Sequence, residues 1–344
     1  MIDDDYLKQN KDFSDFLDDV SKNTGERSHD MWVQNMRENR EVFRKSDGWA
    51  TSNLQDVEKG KTAIIMGASP AIKKQVDQLK EIQSDENFVL CGVSSNLDFL
   101  LKNDIYPKYC MIVDADKSTG EDWKDIDMSK TKDITLITNT FTYPPNLKKW
   151  QGRVLFLACS TANKVIKRKQ NKWYGHINGL GVEFPALMCQ FNIITIFSFL
   201  CLGCHVILFV GNELSFQDEK AQYYVDRPDP RDEDKRWPHG DMYGDLVYTT
   251  SGLLALKLSL EYFLGKIAGA GWFINCSEAG IFGITKRFPG NRVPWIHQMT
   301  LKAGILQASS IMETGEPLYL ENENSMLWVP NINNDLSLKH LHLH

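Results

Sequence analysis

The chain has no apolar run at its start. MIDDDYLKQNKDF is acidic and lacks the h-region of a secretory signal, so no export signal is read there. It has no excess of positive charge either. Lys and Arg number 39 against 45 Asp and Glu, a formal net charge of −6, which excludes a general attraction to nucleic acid or to an anionic membrane. Cysteine is sparse and odd in number: the seven thiols (Cys91, Cys110, Cys159, Cys189, Cys201, Cys204, Cys276) mostly sit inside apolar runs. That pattern reads as buried thiols in a reducing compartment rather than a disulfide framework. Cys201 and Cys204 form a lone CxxC with no second CxxC and no nearby His pair, so a buried helix end is expected there rather than a zinc or redox site. Neither a Walker A loop nor a GxGxxG motif is present, and no repeat or low-complexity tract appears.

Charge is also missing between Phe184 and Val210, a window long enough to raise the question of a membrane span. Gln190 and Asn192 interrupt it, Gly203 divides it, and the C-terminal side carries no basic anchor. A buried helix running into a central strand, HVILFVG (205–211), is the expectation. No membrane span is read, and the chain is expected to be cytoplasmic.

What is present is ordinary globular material, 42% hydrophobic and 24% charged, in 344 residues. Residues 1–60 are polar, with Trp32, Met36, Phe43 and Trp49 at spacings that suit one face of packed helices. From Lys61 the texture changes to short apolar runs alternating with helix-like segments. TAIIMG (62–67), FVLCGV (88–93), YCMIVDAD (109–116), ITLIT (134–138), RVLFLA (153–158), HVILFVG and WFINCS (272–277) are the strand candidates. An amphipathic helix starting at Pro70 and another near Tyr248–Ile267 are among the helices expected. Strands that are apolar throughout imply a parallel sheet buried on both faces. The expected fold is therefore α/β, with a mostly parallel, Rossmann-like sheet. Three regions follow: a helical N-terminal extension (1–60), the α/β domain (61–290) and a C-terminal extension (291–344).

Ligands of such sheets bind outside the carboxyl ends of the strands, and each strand here ends in a distinct cluster. Gly67-Ala68-Ser69-Pro70 is a small-residue turn whose amides suit a phosphate, with Pro at the first helical position. Asp114 and Asp116 stand at i and i+2. If the strand continues they face one way and suit a divalent cation; otherwise they cap a loop. Asn212-Glu213 and Ser277-Glu278-Ala279-Gly280 end two further strands. Asn178-Gly179 opens the long apolar helix, and KVIKRKQNK (164–172) is the one dense basic run, read as a solvated helix face or a grip for phosphates. The polar stretch 212–245, with Tyr223, Tyr224, Arg227, His239 and Asp241, reads as a substrate loop in which His239 is a candidate base.

Taken in order, these clusters resemble the MptE-like family. It is named after an archaeal 6-hydroxymethylpterin diphosphokinase and also contains the Maf motility-associated proteins, flagellin glycosyltransferases similar to sialyltransferases. NLQDVEKGKTAIIMGASPAI, IYPKYCMIVDAD, LGCHVILFVGNELSF and INCSEAGIFG fill the family's four motifs, from about Asp56 to Gly290. Ser69, Ala71, Glu213 and Ala279 depart from the family's Gly, Ser, Asp and Gly. The resemblance implies that Gly67, Ala68, Ser69 and Pro70 cradle nucleotide phosphates, with Asp114 beside them. Asn178 and Gly179 would border the donor, Glu213 would face nucleotide or substrate, and Ser277 and Glu278 would close the rim. Three functions follow as expectations. One is a transferase moving a sugar from a nucleotide-activated donor, such as a CMP-linked nonulosonic acid, with Asp114, Glu213 and His239 as candidate catalytic groups. Another is pyrophosphoryl transfer from ATP to a pterin alcohol, with a divalent ion (Mg2+ or Mn2+) on Asp114 and Asp116. The last is a non-catalytic nucleotide-binding module.

Overall fold

The computed structural model describes residues 29–160, 164–175, 184–185, 189–225, 235–284 and 292–318. Two helices lead in, α1 (His29–Lys45) and α2 (Ala50–Leu54), followed by β1 (Thr62–Met66), α3 (Val76–Ile82), β2 (Phe88–Val93) and α4 (Leu97–Lys102). Next come β3 (Tyr109–Ile112), β4 (Thr135–Asn139), α5 (Pro144–Lys149), β5 (Val154–Leu157), β6 (Cys159–Ser160), α6 (Lys164–Tyr174) and β7 (Phe184–Pro185). The remainder is α7 (Gln190–Leu200), β8 (Val206–Val210), β9 (Trp237–Gly240), β10 (Leu246–Thr249), α8 (Ser251–Lys266), β11 (Trp272–Asn275), β12 (His297–Gln298) and α9 (Leu301–Thr314).

Eight strands form one sheet in the order β12-β11-β8-β1-β2-β3-β4-β5, and every neighbouring pair is parallel. β1 and β8 are buried at every position, which is why TAIIM and VILFV read as unbroken apolar runs: helices cover both faces of a parallel sheet. β8 is an interior strand, in register with β1 (Thr62↔Val206) and β11 (Trp272↔Val206). The apolar helix expected ahead of it is α7, which is apolar all round and buried along nearly its whole length, as a helix packed inside a protein should be. Among the described residues no helix is long and apolar enough to cross a membrane. Cys201 caps α7, and both Cys201 and Cys204 are free and buried, as expected for a helix end.

The chain runs outward from β1 through β2, β3, β4 and β5, then returns to add β8, β11 and β12 on the other side of β1. The order in which strands are added therefore reverses between β1 and β8. In a parallel α/β sheet that reversal opens a crevice at the carboxyl ends of the strands.

Helix α1 lies across the carboxyl-end loops of the β3–β5 side. Asn35 Nδ2 donates to the carbonyls of Ala115 (2.9 Å) and Phe141 (2.8 Å), and Asn39 Nδ2 donates to Thr140 (3.1 Å) and Thr142 (2.7 Å). Trp32 stacks on Phe141 with ring centroids 5.0 Å apart, and Trp32 and Met36 belong to the main core. Phe43 and Trp49 are half-buried against that core. At the far end, β12 and α9 continue the sheet and its cover beyond residue 290.

Three local expectations are corrected. The segment from Pro70 opens as a 3₁₀ turn (Pro70–Gln75), and regular α-helix begins only at Val76. Tyr248 belongs to β10, and α8 starts after Thr250, whose hydroxyl accepts the Leu253 N–H (3.3 Å). Within the 212–245 stretch, β9 pairs with β10 as an antiparallel hairpin, so His239 lies in a strand and not in a loop.

Candidate functional site

The turn after β1 and the turn after β8 are in backbone contact at the switch point. Both start with a glycine because nothing larger fits: a Cβ on Gly67 would lie 2.3 Å from the Gly211 carbonyl oxygen. Gly211 itself has φ +61°, a left-handed conformation that glycine adopts without strain. Two of the amides expected to cradle a phosphate, those of Gly67 and Ser69, are committed to this contact. Gly67 N–H donates to Val210 O (2.8 Å) and Ser69 N–H to Gly211 O (3.1 Å). Ala71 N–H donates to Glu213 Oε1 (2.5 Å), and Glu213 N–H donates to Ser69 Oγ (3.3 Å). Ala68 lies between them, with its carbonyl accepting from Val225 N–H (2.9 Å). Ser69 is thus a buried packing residue rather than an open rim residue. Pro70 is half-buried.

Glu213 is only 1% exposed. Burial pushes its carboxyl above the ordinary glutamate range, against the opposing pull of the Ala71 N–H, Ser69 and Lys74. Its carbonyl accepts the Ile281 N–H (2.9 Å), and a Cβ on Gly280 would fall 2.1 Å from that same oxygen. The β11 turn therefore closes on the β8 turn as tightly as the β1 turn does. Ser277 is fully buried: its Oγ accepts the Asn212 N–H (3.0 Å), and its own N–H donates to Asn275 Oδ1 (3.1 Å). Glu278 is half-buried, and its Oε1 accepts the Leu301 N–H (3.0 Å). Glu278 (φ +55°) and Leu214 (φ +54°) both occupy the left-handed region, costly for residues that are neither Gly, Asn nor Asp. Backbone strain outside the Gly and Asp turns of the described chain is thus concentrated at this rim.

Asn96, which belongs to none of the strand-end clusters singled out in the sequence, is fully buried and joins two strand ends. Its Nδ2 donates to Met66 O (2.8 Å) and Gly67 O (2.7 Å), while its Oδ1 accepts the Val93 N–H (3.2 Å). The visible signal was a polar Ser-Ser-Asn directly after an apolar strand. Together Gly67–Ala71, Asn96, Gly211–Glu213 and Ser277–Gly280 form one hydrogen-bonded cluster.

Asp114 and Asp116 are placed apart from it, on the β3 side. The strand ends at Ile112, so the i, i+2 alternation that would have aimed both carboxylates one way does not apply. Asp114 Oδ1 accepts the Asp116 N–H (3.0 Å), and Asp116 Oδ1 caps a 3₁₀ turn by accepting the Ser118 N–H (2.8 Å). The two side chains act as turn formers, and both are exposed. Among the described residues no group of three or more His, Cys, Asp or Glu comes together that would hold a metal ion. Two carboxylates alone could still serve a Mg2+ ion whose remaining ligands are waters and substrate phosphates.

His239 is 7% exposed, and its Nδ1 lies 2.6 Å from the Gly240 carbonyl. A carbonyl only accepts, so in the neutral ring Nδ1 carries the hydrogen and Nε2 the lone pair. The hairpin carrying His239 reaches the cluster through Met242 N–H to Gly280 O (3.2 Å) and is paired to Phe216 through Tyr248. Asp241 shapes its tip, with Oδ1 accepting the Tyr243 (2.8 Å) and Asp245 (2.9 Å) amides. Tyr223 packs against Phe216 and Tyr224. The basic run forms α6, which packs on α1 with Ile166, Gln170 and Tyr174 buried, the Tyr174 hydroxyl donating to Met36 O. Asn178, Gly179 and Arg227 lie outside the described residues.

No curated protein matches the chain. Among solved structures it resembles the Maf glycosyltransferase from Magnetospirillum magneticum AMB-1, with a TM-score of 0.53 and 16% identity over 72% of this chain. The match spans only 37% of that protein, and at this identity it is a likeness of fold. The sequence match to the family described as 6-hydroxymethylpterin diphosphokinase MptE-like begins inside α1 and ends after β8, short of the β11 turn. Covering residues 33–219, more than half of the sequence, that match identifies the chain as a member of the MptE-like family.

Proposed function

We propose that this chain is a transferase acting on a nucleotide-activated sugar, with the donor lying along the carboxyl rim at the switch point between β1 and β8. One observation carries the reading: the turns after β1, β2, β8 and β11 meet there in a single hydrogen-bonded cluster. A parallel α/β sheet binds its ligands at that position. The fold shared with a Maf glycosyltransferase favours sugar transfer over the other activities open to the family.

On this reading the buried residues shape the site. Glu213, bound to Ala71 and backed by Ser69, fixes the β1 turn and acts as a positioning residue. Of the candidate bases, the exposed Asp114 on the β3 side is the one open to an acceptor hydroxyl, and the Nε2 of His239 is buried. The leaving nucleotide departs with its phosphate charge and needs N–H or O–H donors. Those of the β1 turn are mostly engaged, so donors beyond it must contribute.

The test is a thermal-shift panel of CMP, UDP, GDP, ADP and ATP, each with and without Mg2+, followed by turnover of the sugar-linked form of whichever nucleotide binds. Stabilisation by CMP or a nucleoside diphosphate, with consumption of the corresponding sugar nucleotide, is expected. A response to ATP with Mg2+ alone would move the assignment to pyrophosphoryl transfer. Stabilisation without turnover would make the chain a binding module, and no response at all would remove nucleotide from the site.

A further inference from the structure

Three asparagines end strands at the switch-point rim, and two use their amides fully. Asn96 makes the three bonds described above. Asn275 donates through Nδ2 to Phe282 O (3.1 Å) and Gln298 Oε1 (2.9 Å) while its Oδ1 accepts the Ser277 N–H. Asn212, at the end of β8, is the exception. It is 4% exposed, its backbone N–H is bonded to Ser277 Oγ, and its Nδ2 is buried without a partner. Close by, Gln75 is 1% exposed and donates through Nε2 to the Cys276 carbonyl, while its Oε1 is buried without a partner. The Asn212 backbone and the Gln75 side chain thus both bond the Cys276–Ser277 segment, and each side-chain amide keeps one buried atom without a partner. Buried polar groups are nearly always paired, and those that are not call for a missing partner.

We infer that Asn212 and Gln75 form a subsite for an uncharged polar group of the transferred sugar, a hydroxyl or an N-acyl amide. The inference rests on the nucleotide-sugar reading above and names which part of the donor lies here. Such a group offers an acceptor to Asn212 and a donor to Gln75 at once. A phosphate or carboxylate offers acceptors only and would face the Gln75 carbonyl oxygen. It would also approach Glu213, whose backbone follows Asn212 directly, and Glu278, whose Oε1 lies 3.4 Å from Gln75 Nε2. The charge and the hydrogen-bond valence of the site agree: it takes a neutral group.

The experiment follows the Asn212 side-chain amide by 1H–15N NMR in the full chain, the signal being assigned by its loss in Asn212→Leu. The probes are N-acetylglucosamine, galactose and N-acetylneuraminic acid on one arm, phosphate and pyrophosphate on the second, and CMP and UDP on the third. The expected result is that a sugar shifts the Asn212 signal and the two inorganic anions do not. Asn212→Leu should bind that sugar at least tenfold more weakly while the free protein melts no lower, since an unpaired buried amide has been replaced by an apolar near-isostere. Asn212→Ser, smaller and still a donor, should retain part of the affinity and guards against a folding defect in the leucine variant. Movement with phosphate or pyrophosphate and not with sugars would overturn the inference, as would an unmoved signal under all probes. If CMP or UDP stabilises the protein while the signal stays still, only this subsite is lost. If sugars move it and no nucleotide binds, the nucleotide reading fails and the subsite stands.

Discussion

Two glutamates, each 1% exposed, are held at opposite ends of the same sheet, and their acidities are moved in opposite directions. Glu58 precedes β1 at the amino end. Burial alone would raise its pKa, but Lys108 (2.6 Å), the Tyr109 hydroxyl (2.7 Å) and Lys61 (3.0 Å) outweigh that and hold it below the ordinary glutamate range. Glu213 follows β8 at the carboxyl end. It has an amide and a hydroxyl for partners and no ion pair among the described residues, so burial wins and its pKa rises. The amino end of the sheet is built so that its buried charge is compensated. The carboxyl end holds an acid without an ion pair among the described residues (Glu213), two residues of positive φ (Leu214 and Glu278) and an unpaired amide (Asn212) on adjoining turns. That arrangement is what the proposed donor site would call for.

The largest expected effect would break the Glu213 end from the backbone. Gly280→Ala sets a Cβ 2.1 Å from the Glu213 carbonyl oxygen at φ +83°, so strain and overlap add. A loss of about 3 kcal/mol is expected, read as a lower urea midpoint. A variant as stable as the parent would show that the β8 and β11 turns are not locked together.

Glu58→Gln comes next and probes the compensated end. Lys61 and Lys108 are 33% and 52% exposed, so solvent screens much of their pairing and the loss should be about 1–2 kcal/mol at neutral pH. A lowered folded pKa contributes stability that is present above the ordinary value of 4.5 and disappears as pH falls through the folded value. The gap between parent and variant should therefore close in acid. A gap that stays constant with pH would mean that packing, rather than charge, makes Glu58 matter.

Glu213→Gln should do the reverse. With a raised folded pKa, the carboxyl contributes its full stability below 4.5 and loses it as pH rises through the folded value. Glutamine keeps an acceptor for the Ala71 N–H without the charge. At neutral pH the variant should melt no lower than the parent, and the parent should gain on it as pH falls. A variant clearly less stable at neutral pH would show that the charged form is what the site holds. The smallest effect lies on the exposed side of the rim: Asp116→Ala removes a cap from a single 3₁₀ turn and should cost about 0.5–1 kcal/mol in a denaturant titration.

Much of this was legible in the sequence. TAIIM, VILFV and WFIN are apolar on both faces, so a parallel sheet follows from them without further information. The strand-end clusters were also visible, since Gly, Asn, Glu and Ser directly after apolar runs mark where strands stop. The hairpin of β9 and β10 was not, because Trp237-Pro238-His239 has no alternation and carries a proline. Nothing in the sequence around Asn35 and Asn39 sets them apart from the other polar residues of α1. Their burial depends on loops about a hundred residues away.

By itself the sequence determined the sheet, its parallel sense, the clusters at its strand ends and the family to which the motifs belong. Those follow from the solvation of side chains next to one another in the chain, which the order of residues states directly. Only the tertiary structure decided what each rim residue does there. Ser69 is a hydrogen-bond acceptor for a neighbouring turn, Asp116 is a cap, Glu213 is an acid held in a dry contact, and Asn212 is an amide without a partner. Each of these roles is fixed by the groups that fill the remaining hydrogen-bonding positions. At the switch point those groups come from strands up to two hundred residues apart, as the bond from Gln75 to Cys276 illustrates.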